Sequence, residues 1–320
     1  MRQFFPTGIV FLLLSGCAKT TADIHVRTVT VSTLAGNGVM ECRDGMGIQA
    51  SFDTPWGLTV DARGNVYVAD WSDDGQETSR IRMITPAGAV TTLTGPFRLP
   101  EGLAVDDQNN IYIGDAGNDR ICKRTSAGIV NTLAGYPGGP FFAGPQGVAV
   151  DAGGNLYIAD GGNSRIRKVS ATGDISTLAG SGFGYPVGVA VDLQGNVYVA
   201  DLLFQVIRKI TPTGVVSTLA GSTAGFADGT GSEAKFSSPT GVAVDRRGNV
   251  YVADQGNNCI RVITPAGAVS TLAGNGSAGY ADGTGAVVQF RLPYAIALDK
   301  QGNAYVSDQG NVRIRKITIQ

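Results

Sequence analysis

The sequence has little histidine, little charge and no long apolar run beyond its first residues, and each shortage excludes a class of function. One of the 320 residues is histidine, His25, which excludes a zinc site built on histidines and a histidine general base. Charged residues make up 16% of the chain and the formal net charge is −1, so nucleic acid is not expected as a partner. After Gly16 no segment is apolar for long enough to span a bilayer.

Cysteine is also scarce. Beyond Cys17 the chain has Cys42, Cys122 and Cys259, an odd number, so at least one thiol is free or bonds between molecules. A Cys42–Cys259 disulfide requires the two Cα atoms to lie within about 7 Å, which the segment around Cys42 satisfies only by leaning across the molecule. We treat that pair as the less favoured alternative, and we expect Cys122 to be unpaired.

The N-terminus has the pattern of an export signal. A basic start precedes an apolar run, Phe4 to Leu14, that is too short to cross a membrane. The quartet that ends at Cys17, LSGC, resembles the lipobox of bacterial lipoproteins, in which cleavage before the cysteine leaves a thiol that is diacylated. We predict a signal peptide over 1–16, a tether over 17–27 lipidated at Cys17, and a repeat domain over 28–320. An ordinary secretory signal is the alternative.

Internal repetition is the main feature of the chain. The unit from Pro239 to Gly274 contains four short strand signals, rich in β-branched and aromatic residues and separated by turns rich in Gly, Asn and Pro. Six such units begin at prolines: Pro55, Pro100, Pro145, Pro186, Pro239 and Pro293. Repetition of a four-stranded antiparallel unit predicts an all-β fold, a six-bladed β-propeller.

The first strand signal, Val29 to Gly36, matches the fourth strand of the other units, although it precedes them all. The sixth unit, from Pro293, ends after its third strand. We therefore predict that the N-terminal strand (29–36) completes the last blade, because this pairing closes the ring and removes two exposed edges.

The repeats also resemble a known family. The segment from Pro145 to Val169, PQGVAVDAGGNLYIADGGNSRIRKV, is similar to the NHL repeat of six-bladed NHL propellers. The resemblance covers about residues 28–320 and implies the same fold. It implies no single function, because relatives include scaffolds, RNA binders, lyases and sensor domains.

Loops of variable sequence are expected on one face, here called the top, where the fourth strand of one blade leads to the first strand of the next and the second strand leads to the third. Three similar insertions precede Pro55, Pro239 and Pro293 and are expected to raise half of the top rim. Each begins with an Asp and carries a Phe that we expect to anchor the loop: Asp44 and Phe52, Asp228 and Phe236, Asp282 and Phe290.

The other half of the rim has apolar residues that we expect to be exposed and to bind a partner. Short loops contribute Phe97, Tyr136, Phe141, Phe142, Phe183 and Tyr185, and a departure from the repeat in blade four contributes Leu202, Leu203 and Phe204. The predicted binding residues are Trp71, Phe141, Phe142, Phe183, Tyr185, Leu202, Leu203 and Phe204. The alternative is that these side chains fold inward and plug the channel.

The resemblance also raises an enzymatic alternative, since lactonase-like propellers hold Ca²⁺ at the channel mouth. Among the residues that follow each proline, Glu101 is the one charged side chain. A second set of carboxylates mostly faces an arginine five or more residues later, as in Asp70 with Arg80, Asp115 with Arg120, Asp160 with Arg165 and Asp308 with Arg313. This leaves Asp201 and Asp254 without an expected partner. The alternative site therefore uses Glu101 as the catalytic group, with Glu101, Asp201 and Asp254 as ligands of Ca²⁺; the main interpretation has no cofactor.

The sequence thus favours a binding or scaffold module over an enzyme. We predict a lipid-anchored, extracytoplasmic propeller, periplasmic or at the outer membrane in a Gram-negative organism, that recognises a protein, peptide or glycan of the cell envelope through its top-face loops. The alternative is a metal-dependent, Ca²⁺-type hydrolase or lactonase at the channel mouth.

Overall fold

The computed structural model describes residues 28–72, 79–135 and 142–320. These residues form six antiparallel sheets, each made of the strands expected for one repeat. Short 3₁₀ turns connect some strands, at Gly47–Gln49, Ala116–Asn118, Gly161–Asn163, Gly231–Glu233, Gln255–Asn257, Gly285–Val287 and Gln309–Asn311. No helix in the described part of the chain has the length and apolar character to cross a bilayer.

The strands are numbered here along the chain. The first is β1 (Val29–Ala35). Blade one contains β2 (Gly45–Met46), β3 (Thr54–Val60), β4 (Val66–Trp71), β5 (Ser79–Ile84) and β6 (Ala89–Phe97). Blade two contains β7 (Pro100–Val105), β8 (Ile111–Asp115), β9 (Arg120–Arg124) and β10 (Val130–Ala134). Blade three contains β11 (Pro145–Val150), β12 (Leu156–Asp160), β13 (Arg165–Val169) and β14 (Ile175–Ala179).

The remaining blades follow the same order. Blade four contains β15 (Pro186–Val191), β16 (Val197–Asp201), β17 (Val206–Ile210) and β18 (Val216–Gly221). Blade five contains β19 (Gly229–Thr230), β20 (Pro239–Val244), β21 (Val250–Asp254), β22 (Cys259–Ile263) and β23 (Ala268–Ala273). Blade six contains β24 (Gly283–Thr284), β25 (Pro293–Leu298), β26 (Ala304–Asp308) and β27 (Arg313–Ile319).

The inner strands form a closed ring around a central channel, since each contacts the inner strand of the next blade and β25 contacts β3. A glycine two residues after the blade's proline makes this approach feasible. A Cβ at Gly188 would lie 2.2 Å from the Thr240 carbonyl oxygen, and one at Gly102 would lie 2.1 Å from that of Gln146. The prediction of a six-bladed propeller is confirmed, and the small residues occur where neighbouring sheets come closest.

The N-terminal strand closes the ring, as predicted. β1 pairs antiparallel with β27, with Val29 opposite Ile319 and Val31 opposite Ile317. Val31 and Ile317 are buried in the interface between blades five and six. The last blade therefore combines the two ends of the described chain.

On the bottom face, opposite the top, the turns between the first and second strands are uniform and each is held by one aspartate. In blade five Asp245 Oδ1 accepts hydrogen bonds from the backbone N–H groups of Arg247 and Asn249, both at 2.8 Å. Its Oδ2 accepts from Asn249 Nδ2, and the hydroxyl of Tyr251 lies 3.5 Å away. Equivalent aspartates occupy the other blades: Asp61, Asp106, Asp151, Asp192 and Asp299. This regularity supports a structural role for the bottom face.

The three insertions lie along the outer edges of their blades, rather than forming a raised half of the top rim. Each adds a two-residue strand to the edge: β2 pairs with β6, β19 with β23, and β24 with β1. The physical cause is an ion pair from the insertion's Asp to a buried arginine of the blade: Asp44 to Arg82, Asp228 to Arg261, and Asp282 to Arg315. The anchoring role of the Phe residues is confirmed, because Phe52, Phe236 and Phe290 are fully buried.

Substituting Gly188 by Ala tests the crowding around the channel. Because the added methyl group would meet the Thr240 carbonyl, we expect the free energy of unfolding to fall by about 2 kcal/mol, typical of overpacking. Gly180→Ala is the matched control, since its Cβ would meet only the Thr177 methyl group at an ordinary 3.4 Å. Chemical denaturation measures both, and equal stability of the two variants would contradict the steric account.

Candidate functional site

The first residue after each proline points to the top end of the channel, as the sequence analysis expected. Among these residues, Glu101, Gln146, Val187, Thr240 and Tyr294 line one cavity on the axis. The sixth, Trp56, packs edge-on against Tyr294, with 4.5 Å between ring centroids. The Pro-x-Gly pattern produces this convergence, because the glycine allows the strands to approach while the residue before it extends into the mouth.

Glu101 is the ionisable centre of the mouth. Burial raises the pKa of its carboxyl to about 7, and hydrogen bonds with Gln146 and Tyr294 act in the opposite direction. The Tyr294 hydroxyl lies 3.4 Å from both Glu101 Oε2 and Gln146 Oε1, so it donates to either at long range. Burial, and then the charge of Glu101, raise the pKa of Tyr185. At neutral pH a substantial fraction of Glu101 is protonated and able to donate a hydrogen bond.

Aromatic side chains extend the mouth towards blade one. Trp71, at the end of β4, meets Trp56 edge-on at 6.3 Å between ring centroids, and both are half-buried. Trp56 Nε1 is buried and has no hydrogen-bond partner among the described residues. A buried indole N–H normally has a partner, so Trp56 Nε1 is an exception in the described part of the chain. Trp71, a predicted binding residue, thus lies beside Trp56, which in turn packs against Tyr294. The positions of Trp56 and Tyr294 directly after prolines are the signal in the sequence that indicates their place at the mouth.

The apolar side chains predicted to be exposed fall into two groups. Leu203 and Phe204 are 61% and 47% exposed, and Leu202 and Tyr185 are half-buried. The backbone N–H of Leu202 donates to the Tyr185 carbonyl at 3.0 Å, which joins the two loops at the top of blade four. These four residues form one partly exposed surface.

Phe97, Phe142 and Phe183 do not belong to that surface, and the expectation that they are exposed is wrong. They are 3%, 2% and 7% exposed and pack between neighbouring blades. Each lies three residues before its blade's proline, as do the three anchoring residues of the insertions: Phe52, Phe236 and Phe290. The sequence therefore contained the correct signal in all six repeats, but loop length obscured it in the shorter ones. Tyr136, Phe141 and Cys17 lie outside the described residues.

The carboxylates proposed as metal ligands do not converge. Asp254 is buried and pairs with Arg261 at 2.9 Å, and Asp201 lies 3.8 Å from Arg208, so the expectation that both lack a partner is wrong. Their arginines come seven residues later, two positions beyond those considered. Each carboxylate also accepts a backbone N–H, from Ser237 to Asp254 at 2.8 Å, for example.

The other pairings are partly as expected. Asp115 pairs with Arg120 and Asp160 with Arg165, at 2.7 and 2.8 Å, as predicted. Asp70 and Asp308 pair instead with arginines two positions further on, Arg82 and Arg315. The described residues contain no group of three or more acidic, histidine or cysteine side chains suited to hold a metal ion. The donor set of Glu101, Asp201 and Asp254 therefore does not fit Ca²⁺.

None of the three described cysteines forms a disulfide, so the Cys42–Cys259 alternative is not found. Cys122 and Cys259 are buried, and burial raises the pKa of the Cys122 thiol to about 11. A buried thiol of raised pKa is a poor nucleophile. These side chains act as small packing residues.

The fold and this mouth define the class, a six-bladed β-propeller whose channel opens between aromatic and polar side chains on the top face. NHL repeat models match residues 52–78, 97–123, 142–169 and 236–263. The chain is thus an NHL-repeat β-propeller, as the resemblance implied.

Comparison with known proteins supports the fold over most of the chain. A protein of unknown function from Bacteroides thetaiotaomicron is 25% identical over 92% of this chain and 76% of its own, with a TM-score of 0.79. An auxiliary nutrient binding protein from the same organism is 20% identical over 92% and 77% of the two chains, with a TM-score of 0.76. A gluconolactonase from Xanthomonas campestris is 14% identical over 91% and 90%, with a TM-score of 0.67. The last two are similar in fold alone.

A curated relative covers less. The chloroplastic protein SUPPRESSOR OF QUENCHING 1 of Arabidopsis thaliana is 36% identical over 93 residues, which are 29% of this chain and 9% of that protein. The match is confined to a small part of the larger protein.

Replacing Glu101 by Gln tests its raised pKa. Because the folded-state pKa of about 7 exceeds the ordinary value of 4.5, this carboxyl's contribution to stability is fully present below about pH 4.5 and is lost as the pH rises through about 7. Gln resembles the neutral carboxyl, so the variant should become more stable than the wild type as the pH rises across that interval. Denaturation at several pH values measures the difference, with the exposed Asp107→Asn as control. A pH-independent difference would refute the raised pKa.

Proposed function

We propose that this protein is a binding propeller whose ligand occupies the channel mouth on the top face. One observation carries the proposal: Trp56, Trp71 and Tyr294 adjoin Glu101, whose carboxyl pKa burial raises to about 7, and the amide of Gln146. A cavity lined by Glu101, Gln146 and Tyr294, with two tryptophans beside it, combines the aromatic and polar groups that are typical of small-molecule sites. Its chemistry suits a carbohydrate, whose C–H faces pack on aromatic rings while its hydroxyl groups bond to carboxyl and amide groups.

The comparisons support a binding role without identifying the ligand. A propeller of the same fold is an auxiliary nutrient binding protein, and it aligns over most of both chains. Among the three ligand classes expected from the sequence, a glycan fits the mouth best, because a protein partner usually relies on a larger contact surface. Leu203 and Phe204 lie on blade four and form a separate surface.

Tryptophan fluorescence tests this proposal directly, because the chain has two tryptophans and both adjoin the mouth. We expect a saturable change in emission when mono- and oligosaccharides are titrated into the full chain. Glu101→Ala should weaken binding of the active sugar by about tenfold or more, since it removes a hydrogen-bonding partner in a partly buried site. Asp107→Asn, an exposed acidic residue of the bottom face, should bind as the wild type does.

A panel without any saturable response would contradict the glycan proposal. The hydrolase alternative rests on the same Glu101, whose pKa of about 7 suits general acid–base chemistry, and on the fold shared with a gluconolactonase. Turnover of a lactone that Glu101→Gln abolishes would favour that alternative.

We further propose that the protein is an extracytoplasmic lipoprotein anchored at Cys17. The proposal rests on the LSGC quartet after a short apolar run. Cys17→Ser should abolish incorporation of labelled fatty acid and release the protein from the membrane fraction, whereas Cys42→Ser should do neither. Fatty-acid labelling that persists in Cys17→Ser would refute lipidation at this residue.

A further inference from the structure

The fourth strand of each blade forms its outer edge, and blade five covers that edge with a segment of this chain. Gly229 of β19 pairs with Val269 of β23. The preceding residue, Asp228, accepts hydrogen bonds from Arg261 Nη2 at 2.5 Å and from Thr271 Oγ1 at 3.3 Å. The chain itself thus supplies the groups that cover this edge, an aspartate followed by a glycine that pairs with β23.

Blades one and six repeat the arrangement and add a backbone contact. In blade six Asp282 Oδ2 accepts from the Thr33 N–H at 3.0 Å, while its Oδ1 accepts from Arg315 Nη2 at 2.6 Å. In blade one Asp44 accepts from the Thr92 N–H at 3.1 Å. The arginines of all three covered edges are completely buried: Arg82, Arg261 and Arg315.

Blade four presents the same groups without a covering strand. Arg208 lies opposite Thr218 in the register that the covered blades use, and residues 180–185 lead directly from β14 to β15. Arg208 Nη1 donates to Thr218 Oγ1 at 2.6 Å. Among the described residues, Asp201 is the one carboxylate within ion-pairing distance of Arg208, at 3.8 Å from its Nε. The side chain of Arg208 remains 20% exposed. Thr218 is exposed, whereas Thr33 in its covered blade is half-buried.

Phe204 gives blade four a further similarity to the covered edge of blade five. In blade five Phe226, from the covering segment, lies over the guanidinium of Arg261 at 5.0 Å from the ring centroid. In blade four Phe204 lies over Arg208 at 5.7 Å. The departure from the repeat at Phe204 thus supplies the aromatic contact, while the carboxylate and the added strand are absent from the described residues at this edge.

We propose that the outer edge of blade four binds an extended acidic segment of a partner protein. The segment adds an antiparallel strand to β18 and places an Asp carboxylate against Arg208 and Thr218, as Asp228 does in blade five. Charge complementarity favours this occupant, because the nearest carboxylate among the described residues lies 3.8 Å from Arg208, whereas Asp254 lies 2.9 Å from Arg261. Backbone pairing supplies affinity and the carboxylate supplies specificity.

The chain's own covering segment provides the probe. A peptide with the sequence of residues 226–236, FADGTGSEAKF, is titrated into the full-length protein by calorimetry, beside a peptide with Asn in place of Asp228. We expect the Asp peptide to bind at least about tenfold more tightly, as for a charge-assisted hydrogen bond, and to weaken with added salt. This comparison uses the wild-type protein and does not depend on a variant that folds.

Protein variants then locate the site. Arg208→Gln and Thr218→Val should each weaken binding of the Asp peptide, and NMR should show a shift of the Thr218 amide on binding. Arg246→Gln, an exposed arginine of a bottom-face turn, should leave binding unchanged. Equal binding of the two peptides, absence of binding, or full binding to Arg208→Gln would overturn the proposal. Self-association of the protein that Arg208→Gln abolishes would assign the edge to a second copy instead.

Discussion

The close approach of the six inner strands around the axis is the constraint on which the rest of the molecule depends. Carbonyl oxygens of one blade occupy the space where a neighbour's Cβ would be, so five of the six blades have glycine there and the sixth has Ala295. Because these positions contribute almost no side chain, the preceding residues determine the composition of the channel mouth. Close packing of the inner strands therefore fixes a small residue in each blade but leaves the residue before it free to vary at the mouth of the channel.

The outer edges of the three blades with insertions are governed by electrostatics rather than by crowding. A buried arginine in the third strand requires a carboxylate, because an uncompensated buried charge is costly. Asp254 supplies one partner to Arg261 from within the sheet, and Asp228 supplies the second from the covering strand. In the blades with an insertion, a segment of the same chain therefore covers the outer edge, whereas the polar groups of the blade-four edge face outward. The inner strands of the blades are thus alike, whereas their outer edges differ in whether a segment of the chain covers them.

The sequence was sufficient to predict the fold, because each blade's periodicity is local and the unmatched strand at Val29 indicated how the ring closes. It was insufficient for the burial of Phe142, because a short loop next to a known anchor position still allows either an inward or an outward side chain. The pairing of Asp254 was missed for another reason: the register between two strands decides whether an arginine five or seven residues later is in reach. Trp56 and Glu101 were placed correctly, but their proximity to Trp71 depends on how blade one meets its neighbours.

The pairing of β1 with β27 has a consequence for the order of folding. The partner of this first strand is the last strand of the domain, so the ring cannot close until β27 is available for pairing. Blades one to five are built from strands that are consecutive in the sequence and can form earlier. Until β1 and β27 pair, each of them has an unpaired strand edge. Until closure, the first strand of one molecule is able to enter the last blade of another, and a high local concentration would promote such strand-exchanged dimers.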